Sequence, residues 1–273
     1  MREMTRLLDV DTRIRRLCLI KPGQAAYPRS VLSRFIGRIG ENNLIKIMEE
    51  KVVKLLKRNG VTDVDSVFDA SFIKAWSIRH PNDNRKGYSD PEARVGRTGR
   101  TFGLGYKLHL SIDSKTMLPL TCVFASANQN EQKHSLNMLE KTKLTLKGAT
   151  ARLKRLIGDP QYSDDKLRNA VDEAVIPYRA NQKPNVKGLL RVDKKFRAHG
   201  PEDLRKEYHK RPHIEAVYSF LKTQYSLTIN KVRGIKNVTS YALYSLLCLV
   251  LNREAAENLG RPDKAVSPTY FNT

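Results

Sequence analysis

Two adjacent stretches, 102–113 and 118–126, constrain the fold more than any other part of the chain. In the first, Tyr106, Leu108 and Leu110 fall on one face and Lys107, His109 and Ser111 on the other. That period of two belongs to a strand. A short turn around Asp113-Ser114-Lys115 leads into the second stretch, so the pair predicts a β-hairpin. Before it, Val64, Val67, Phe68, Phe72 and Ile73 surround Asp63, Asp65 and Asp69, which predicts a strand starting near Ser66. After it, Arg155-Leu156-Ile157-Gly158-Asp159 reads as a short buried strand ending on an acid, and 175–178 as a final strand. Helices are expected over 131–147, 164–173, 212–222 and 237–258. Lys141, Lys143 and Lys147 lie toward the negative end of the first. Strand, hairpin, helix, strand, helix, strand and then helices is the order of an α/β fold, a sheet covered on both faces.

Residues 1–60 have helical spacing instead. Val31, Leu32, Phe35 and Ile36, then Leu44, Ile45, Ile47 and Met48, then Val52, Val53, Leu55 and Leu56 form the apolar positions. Ser30 is the expected N-cap and Asn59-Gly60 the stop. This region reads as a small helical bundle that either sits on DNA or caps the main domain. Segment 79–101, rich in Gly, Pro and Arg, is expected to be a long loop, and long loops inside compact domains tend to be functional. Segment 180–206 is polar and strongly basic. The expected organisation is a helical N-terminal region over 1–60, a catalytic domain over 61–260 and a tail over 261–273.

Charge narrows the function. Among 273 residues, 50 Lys and Arg stand against 28 Asp and Glu, a net charge of +22. A domain this basic points to a polyanion, most commonly nucleic acid. No stretch reaches the roughly 18 apolar residues of a membrane span; 241–251 reads as a buried helix. The N-terminus lacks an apolar signal-peptide core. Cys18, Cys122 and Cys248 lie far apart without a CxxC pair, which suggests neither a zinc knuckle nor a disulfide frame. The expected location is the cytoplasm, with no membrane partner.

Asp69 and Asp159 stand at or near the ends of apolar segments, and Glu215 lies on the helix from Pro212. An acid ending a buried strand is costly unless it is paired or binds metal. Three of them converging would make an all-oxygen site suited to Mg²⁺ or Mn²⁺. Singly, each reads equally well as a turn acid, an N-cap or an ion-pair partner. Asp113 also ends a strand but sits in the hairpin turn, so it reads as a turn former. A pattern ties the others together: Tyr208, Arg211, Glu215 and Lys222 follow one another with two, three and six residues between them. Here the chain resembles the insertion-sequence transposases of the DDE class, in the family-four group marked by a Tyr-Arg-Glu-Lys signature at this spacing. Val67-Phe68-Asp69-Ala70-Ser71 resembles the first acid motif, although the family more often has Ser or Thr directly after the Asp. Gly158-Asp159-Pro160-Gln161-Tyr162 resembles the second. Asp90-Pro91-Glu92-Ala93-Arg94, Gly105-Tyr106-Lys107-Leu108-His109 and Asn128-Gln129-Asn130-Glu131 also match stretches between the acids.

The resemblance, over roughly 60–255, implies a ribonuclease H-like fold: a mixed five-stranded sheet with flanking helices, here with a small N-terminal helical region added. It implies that Asp69, Asp159 and Glu215 are catalytic and hold two Mg²⁺ ions, with Mn²⁺ as a substitute. It implies cleavage of transposon ends and joining of the freed 3′-OH to target DNA. Tyr208, Arg211 and Lys222 are then expected to contact DNA near the cut; their plain alternative is a surface ion pair or a core aromatic. Arg94, Arg97 and Arg100, with Lys194, Lys195 and Arg197, are expected to bind the flanks, unless they are ordinary solubilising charges. Trp76 is expected to pack against the helical cap or to wedge between bases. Segment 180–206 is too short for the β-rich insertion of some relatives. The implied partners are double-stranded DNA, as terminal inverted repeats and target, and a second copy of the chain on that DNA, in a prokaryotic nucleoid. Two alternatives remain at this point: a transposase-derived DNA-binding protein without mobilising activity, and a housekeeping nuclease on the same fold.

Overall fold

The fold is described from a computed structural model, over residues 2–79, 87–99, 101–179, 182, 190–193, 197–228 and 231–267. The chain divides into two compact units, Met1–Leu44 and Ile45–Thr273. In the first, α1 (Arg2–Val10) is followed by α2 (Thr12–Leu17), whose first N–H groups are capped by Asp11: its carboxylate accepts from Arg13 N at 2.8 Å and Ile14 N at 3.1 Å. Helix α3 (Arg29–Arg58) runs through the division point and is broken at Gly40, which has a φ of 67°. It begins one residue before the expected cap Ser30, with Val31 N and Leu32 N donating to Pro28 O. It stops where Asn59-Gly60 predicted. Gly60 takes the left-handed conformation, and Val61 N reaches back to Leu56 O.

The larger unit is built on one mixed sheet. Strand β1 (Asp63–Lys74) starts three residues earlier than the apolar pattern suggested. It pairs antiparallel with β3 (Thr101–Asp113) on one side and parallel with β5 (Arg152–Gly158) on the other. Strand β6 (Glu173–Val175) extends the sheet beyond β5 in parallel. The other edge of β3 is shared end to end. Residues 106–112 pair with β4 (Pro119–Ser126), and residues 101–105 pair with β2 (Arg94–Thr98). The expected five-stranded sheet is therefore present as β4-β3-β1-β5-β6, with β2 as a sixth strand.

Strand β2 corrects the loop expected over 79–101; residues 80–86 and 100 lie outside the described ones. Glycine at 96, a loop signal in the sequence, is there for close approach: a Cβ would lie 2.1 Å from the Ala127 carbonyl oxygen. The helix expected over 164–173 is shorter, α5 (Asp165–Asn169), and β6 precedes the position expected for the last strand.

Helix α4 (Gln132–Gly148) covers one face of the sheet, where Thr142, Ser111 and Ser66 form a buried hydroxyl chain with O–O distances of 2.9 and 2.8 Å. This chain satisfies the buried hydroxyls of Ser66, Ser111 and Thr142, whereas both ring nitrogens of buried His109 on the same face have no hydrogen-bond partner. A two-stranded ribbon, β7 (Arg191–Val192) with β8 (Ala198–His199), and α6 (Glu202–Tyr208) lead to α7 (Pro212–Thr223). Helix α7 lies on the other face, burying Ile214, Val217, Tyr218 and Leu221. The Tyr218 hydroxyl donates to the carbonyls of Asp69 (2.8 Å) and Leu108 (3.0 Å). Helix α8 (Ile235–Asn258) packs against α7 and β4.

The Asp90–Arg94 stretch has a structural use. Asp90 accepts from Gly234 N at 3.2 Å and Glu92 from Ile235 N at 3.0 Å, so two carboxylates meet the positive end of α8. The hydroxyl of Tyr106 donates to both oxygens of buried Asp90 at 2.9 Å. Among the described residues no helix is long and apolar enough to cross a membrane.

Candidate active site

Strand β5 ends at Gly158, paired with Phe68, while β1 continues to Lys74. From Asp69 onward, β1 therefore has no parallel partner, and a notch opens at the edge of the sheet. The stop is local chemistry. Pro160 has no N–H to give a ladder, and Asp159 caps a short 3-10 turn, Pro160–Tyr162, by accepting from Gln161 N at 2.7 Å. Asp69 and Asp159 thus follow the last paired residues of two adjacent parallel strands. The other acids on β1 and β3 are paired elsewhere. Asp63 meets Arg152 at 2.5 Å, and Asp65 meets Lys210 at 2.7 Å and Arg155 at 3.5 Å. Asp113 is the turn former it was expected to be, accepting from Lys115 N, Thr116 N and the Thr116 hydroxyl.

Helix α7 brings the third acid. Pro212 occupies its first position, as predicted, and Arg211 precedes it. Arg211 reaches Glu215 one turn on, Nη1 to Oε1 at 2.8 Å, while its Nη2 stands 3.5 Å from Asp69 Oδ2. Arg211 therefore links the strand acid to the helix acid. The Asp69 side chain is 13% exposed and that of Glu215 55%. The Nε of Arg211 is buried with no hydrogen-bond partner.

Electrostatics place the rest of the signature around the same point. Burial drives the Asp69 carboxyl up to about 7; Arg211 pulls it back, while Asp159 and Glu131 push it further. Burial also raises Asp159, against the Gln161 N–H and Arg211. Tyr208 is pushed up to about 12 by burial, with Arg211, Asp159, Asp69 and Glu215 as its charged neighbours. Burial lowers the Lys222 ammonium, and Asp69 offsets part of that. Arg211 is raised: burial works against its charge, but Asp69, Tyr208, Asp159 and Glu215 outweigh it.

Two desolvated, mutually repelling carboxylates beside one guanidinium are hard oxygen donors with a deficit of positive charge. That fits a divalent cation. Among the described residues, no three His, Cys, Asp or Glu side chains stand close enough to hold one as they are. The strand acids are half-buried, and the more exposed Glu215 pairs with Arg211.

The other predicted contacts lie apart. Arg94 is opposite Gly105, which pairs with Lys74, five residues past Asp69. At about 3.3 Å per residue this is roughly 16 Å along the strand. Arg94 donates to the carbonyls of Pro91 and Ala93, and Arg97 to that of Gly99. Arg100, Lys194 and Lys195 lie outside the described residues. Arg197 pairs with Asp193 at 3.2 Å. Trp76 is 50% exposed, so its ring is not buried in a core. Sequence reasoning missed Glu131 and its partner Lys107, 3.2 Å apart, as neighbours of the strand acids. Both lie in stretches that carried the family resemblance, which was the available signal.

No curated protein matches the chain. One similar solved structure is a cryo-EM structure of piggyBac transposase in a synaptic complex with hairpin DNA. Identity is 9% and the TM-score 0.43, over 74% of this chain and 49% of that one, so this chain spans about half its length. A family model described as Transposase DDE domain matches residues 62–251, a range that contains the whole sheet, both strand acids and the signature from Tyr208 to Lys222. The chain belongs to that DDE transposase domain family.

Proposed function

We propose that this protein is a DNA transposase that cleaves transposon ends and joins the freed 3′-OH to target DNA. The observation that supports this best is the gathering of Tyr208, Arg211, Glu215 and Lys222 around two half-buried strand-end acids, Asp69 and Asp159. Asp69, Asp159 and Glu215 would hold two divalent ions, Mg²⁺ or Mn²⁺. When bound, such ions activate the attacking oxygen and stabilise the leaving one.

The chain's own residues set the rest. Arg211, whose terminal nitrogens now face Asp69 and Glu215, would turn that planar fork to a phosphate when metal takes over the acids. Lys222 adds a point charge beside Asp69. Tyr208, at the end of α6, offers a hydroxyl to the backbone or a ring face to a base. Arg94, Arg97 and Arg100 contact the DNA flank away from the cut. The helical region over 1–60 binds DNA, 61–260 is catalytic, and 261–273 is a tail. Two copies act together on double-stranded DNA in the prokaryotic nucleoid.

The test is cleavage of labelled duplexes carrying the inverted repeats that flank the gene, with Mg²⁺, for wild type and Glu215→Ala. Nicking or strand joining that requires both metal and Glu215 supports the enzyme. Salt-sensitive binding without cutting in either protein favours the alternative, a transposase-derived DNA-binding protein.

A further inference from the structure

The hairpin of β2 with the first residues of β3 presents apolar surface that the fold itself does not use. Residues directly opposite across a ladder share a face of the sheet. The pairs Val95–Leu104 and Arg97–Phe102 therefore lie on one face of this hairpin. Phe102 is 75% exposed and Val95 51%, and Leu104 is half-buried. The opposite face is fixed to the body of the domain. A Cβ on Gly96 would strike the Ala127 carbonyl, and one on Gly103 or Gly105 would press on the Phe72 ring. Glycine thus closes one face onto the protein and leaves Phe102 standing outward on the other.

Register ties the open face to the strand acid. Leu110 is opposite Asp69, and Phe102 lies eight residues back along β3, an even number, so it shares the face of Asp69. At about 3.3 Å per residue the separation is roughly 26 Å. A duplex lying along the strand covers that in about eight base pairs. Charge indicates what fits there. Residues 93–112 include Arg94, Arg97, Arg100 and Lys107 and no Asp or Glu. Among the described residues Arg97 has no acidic partner; its Nε donates to Gly99 O at 2.9 Å. An outward aromatic ring opposite an unpaired guanidinium suits a polyanion with flat, stackable groups. Apolar wedges beside arginines are how groove-binding proteins open a base step.

We propose that Phe102, with Val95 on the same face and Arg97 opposite, inserts into a base step of the duplex transposon end and unstacks it, about eight base pairs from the cut. The inference rests on the reading that Arg97 lies on the DNA flank.

The experiment uses the full-length protein in EDTA. Its duplexes carry the inverted repeats that flank the gene, with 2-aminopurine placed in turn at successive positions from the cleaved end. Unstacking raises the fluorescence of this base. Wild type is expected to raise it about eight base pairs from the end. Phe102→Ala should abolish the rise and weaken binding about tenfold. It should leave the salt slope of binding unchanged, because no charge is lost. Phe102→Trp should restore both the rise and the affinity. The thermal midpoint of Phe102→Ala should match wild type, since the ring is mostly exposed. A rise that survives in Phe102→Ala, or no rise at any position with wild type, overturns the proposal. It is equally overturned if Phe102→Ala alters the sedimentation of the DNA-free protein and not the fluorescence, which would make this face a contact between two copies. Arg97→Ala separates the two levels. An unchanged salt slope there sinks the flank reading itself. A slope lowered by about one, with the rise intact in Phe102→Ala, sinks only the insertion.

Discussion

Strand β1 carries two acids four residues apart, Asp65 and Asp69, and the chain treats them oppositely. Asp65 sits in a network of direct contacts. Lys210 lies 2.7 Å away and Arg155 3.5 Å; the same two cations hold Glu207 at 2.5 and 3.4 Å, and Arg155 also holds Glu173 at 2.7 Å. This network ties α6 to β1, β5 and β6. Asp69 has one cation at ion-pair distance, Arg211 at 3.5 Å, with Lys222 as a further influence, and Asp159 and Glu131 act on it with the opposite sign. The cations are consecutive residues: Lys210 goes to the first acid and Arg211 to the second. An acid on a buried strand is therefore not a site in itself. The two side chains are about equally shielded, 15% and 13% exposed, so what distinguishes Asp69 is a shortage of positive charge, which a divalent ion on a phosphodiester would supply.

The comparison is broken most directly by activity. Asp69→Ala or Asp159→Ala should reduce strand cleavage by at least about 10³-fold with the fold retained, while Asp65→Ala should leave the rate within about tenfold. Equal losses from all three would erase the distinction.

A pH series in EDTA sharpens it. The native pKa of Asp69, about 7, lies above its ordinary value, 3.8. Its ionisation therefore opposes folding: the favourable contribution is complete below pH 4 and is lost as pH rises through 7. Asp69→Asn should gain up to about 4 kcal/mol at pH 8 and close to none below pH 4, read by urea denaturation. A gain independent of pH would mean that Asp69 is not held against its charge.

Asp65→Ala should act in the opposite sense, destabilising by about 1–3 kcal/mol because Lys210 and Arg155 lose a partner in a half-buried network. Its Mn²⁺ affinity should equal that of wild type. The smallest change is expected at the sheet's far end. Arg97→Ala should shift stability by no more than about 0.5 kcal/mol and lower the salt slope of DNA binding by about one. An unchanged slope removes β2 from the DNA path.

Local patterns in the sequence determined the order of elements, the hairpin of β3 and β4, the helix opening at Pro212 and the spacing from Tyr208 to Lys222. Each of these is set by periodicity or by a single capping residue within one turn or one strand, so neighbouring residues suffice to read it. The ends of β1, α5 and β6 were less legible, because pairing across the sheet, not apolar content, decides where a strand stops. Strand β2 was hidden because Gly96 reads as a loop residue until Ala127, 31 positions away, is placed against it. Asp65 and Asp69 look alike in sequence, and only the register of β1 on β5 puts Arg155 beside one and the end of β5 beside the other. The sequence by itself thus determined which acids and cations were available and in what order. The tertiary structure alone decided which acids were left without counter-charge, because desolvation and Coulomb attraction depend on distances between residues far apart in the chain.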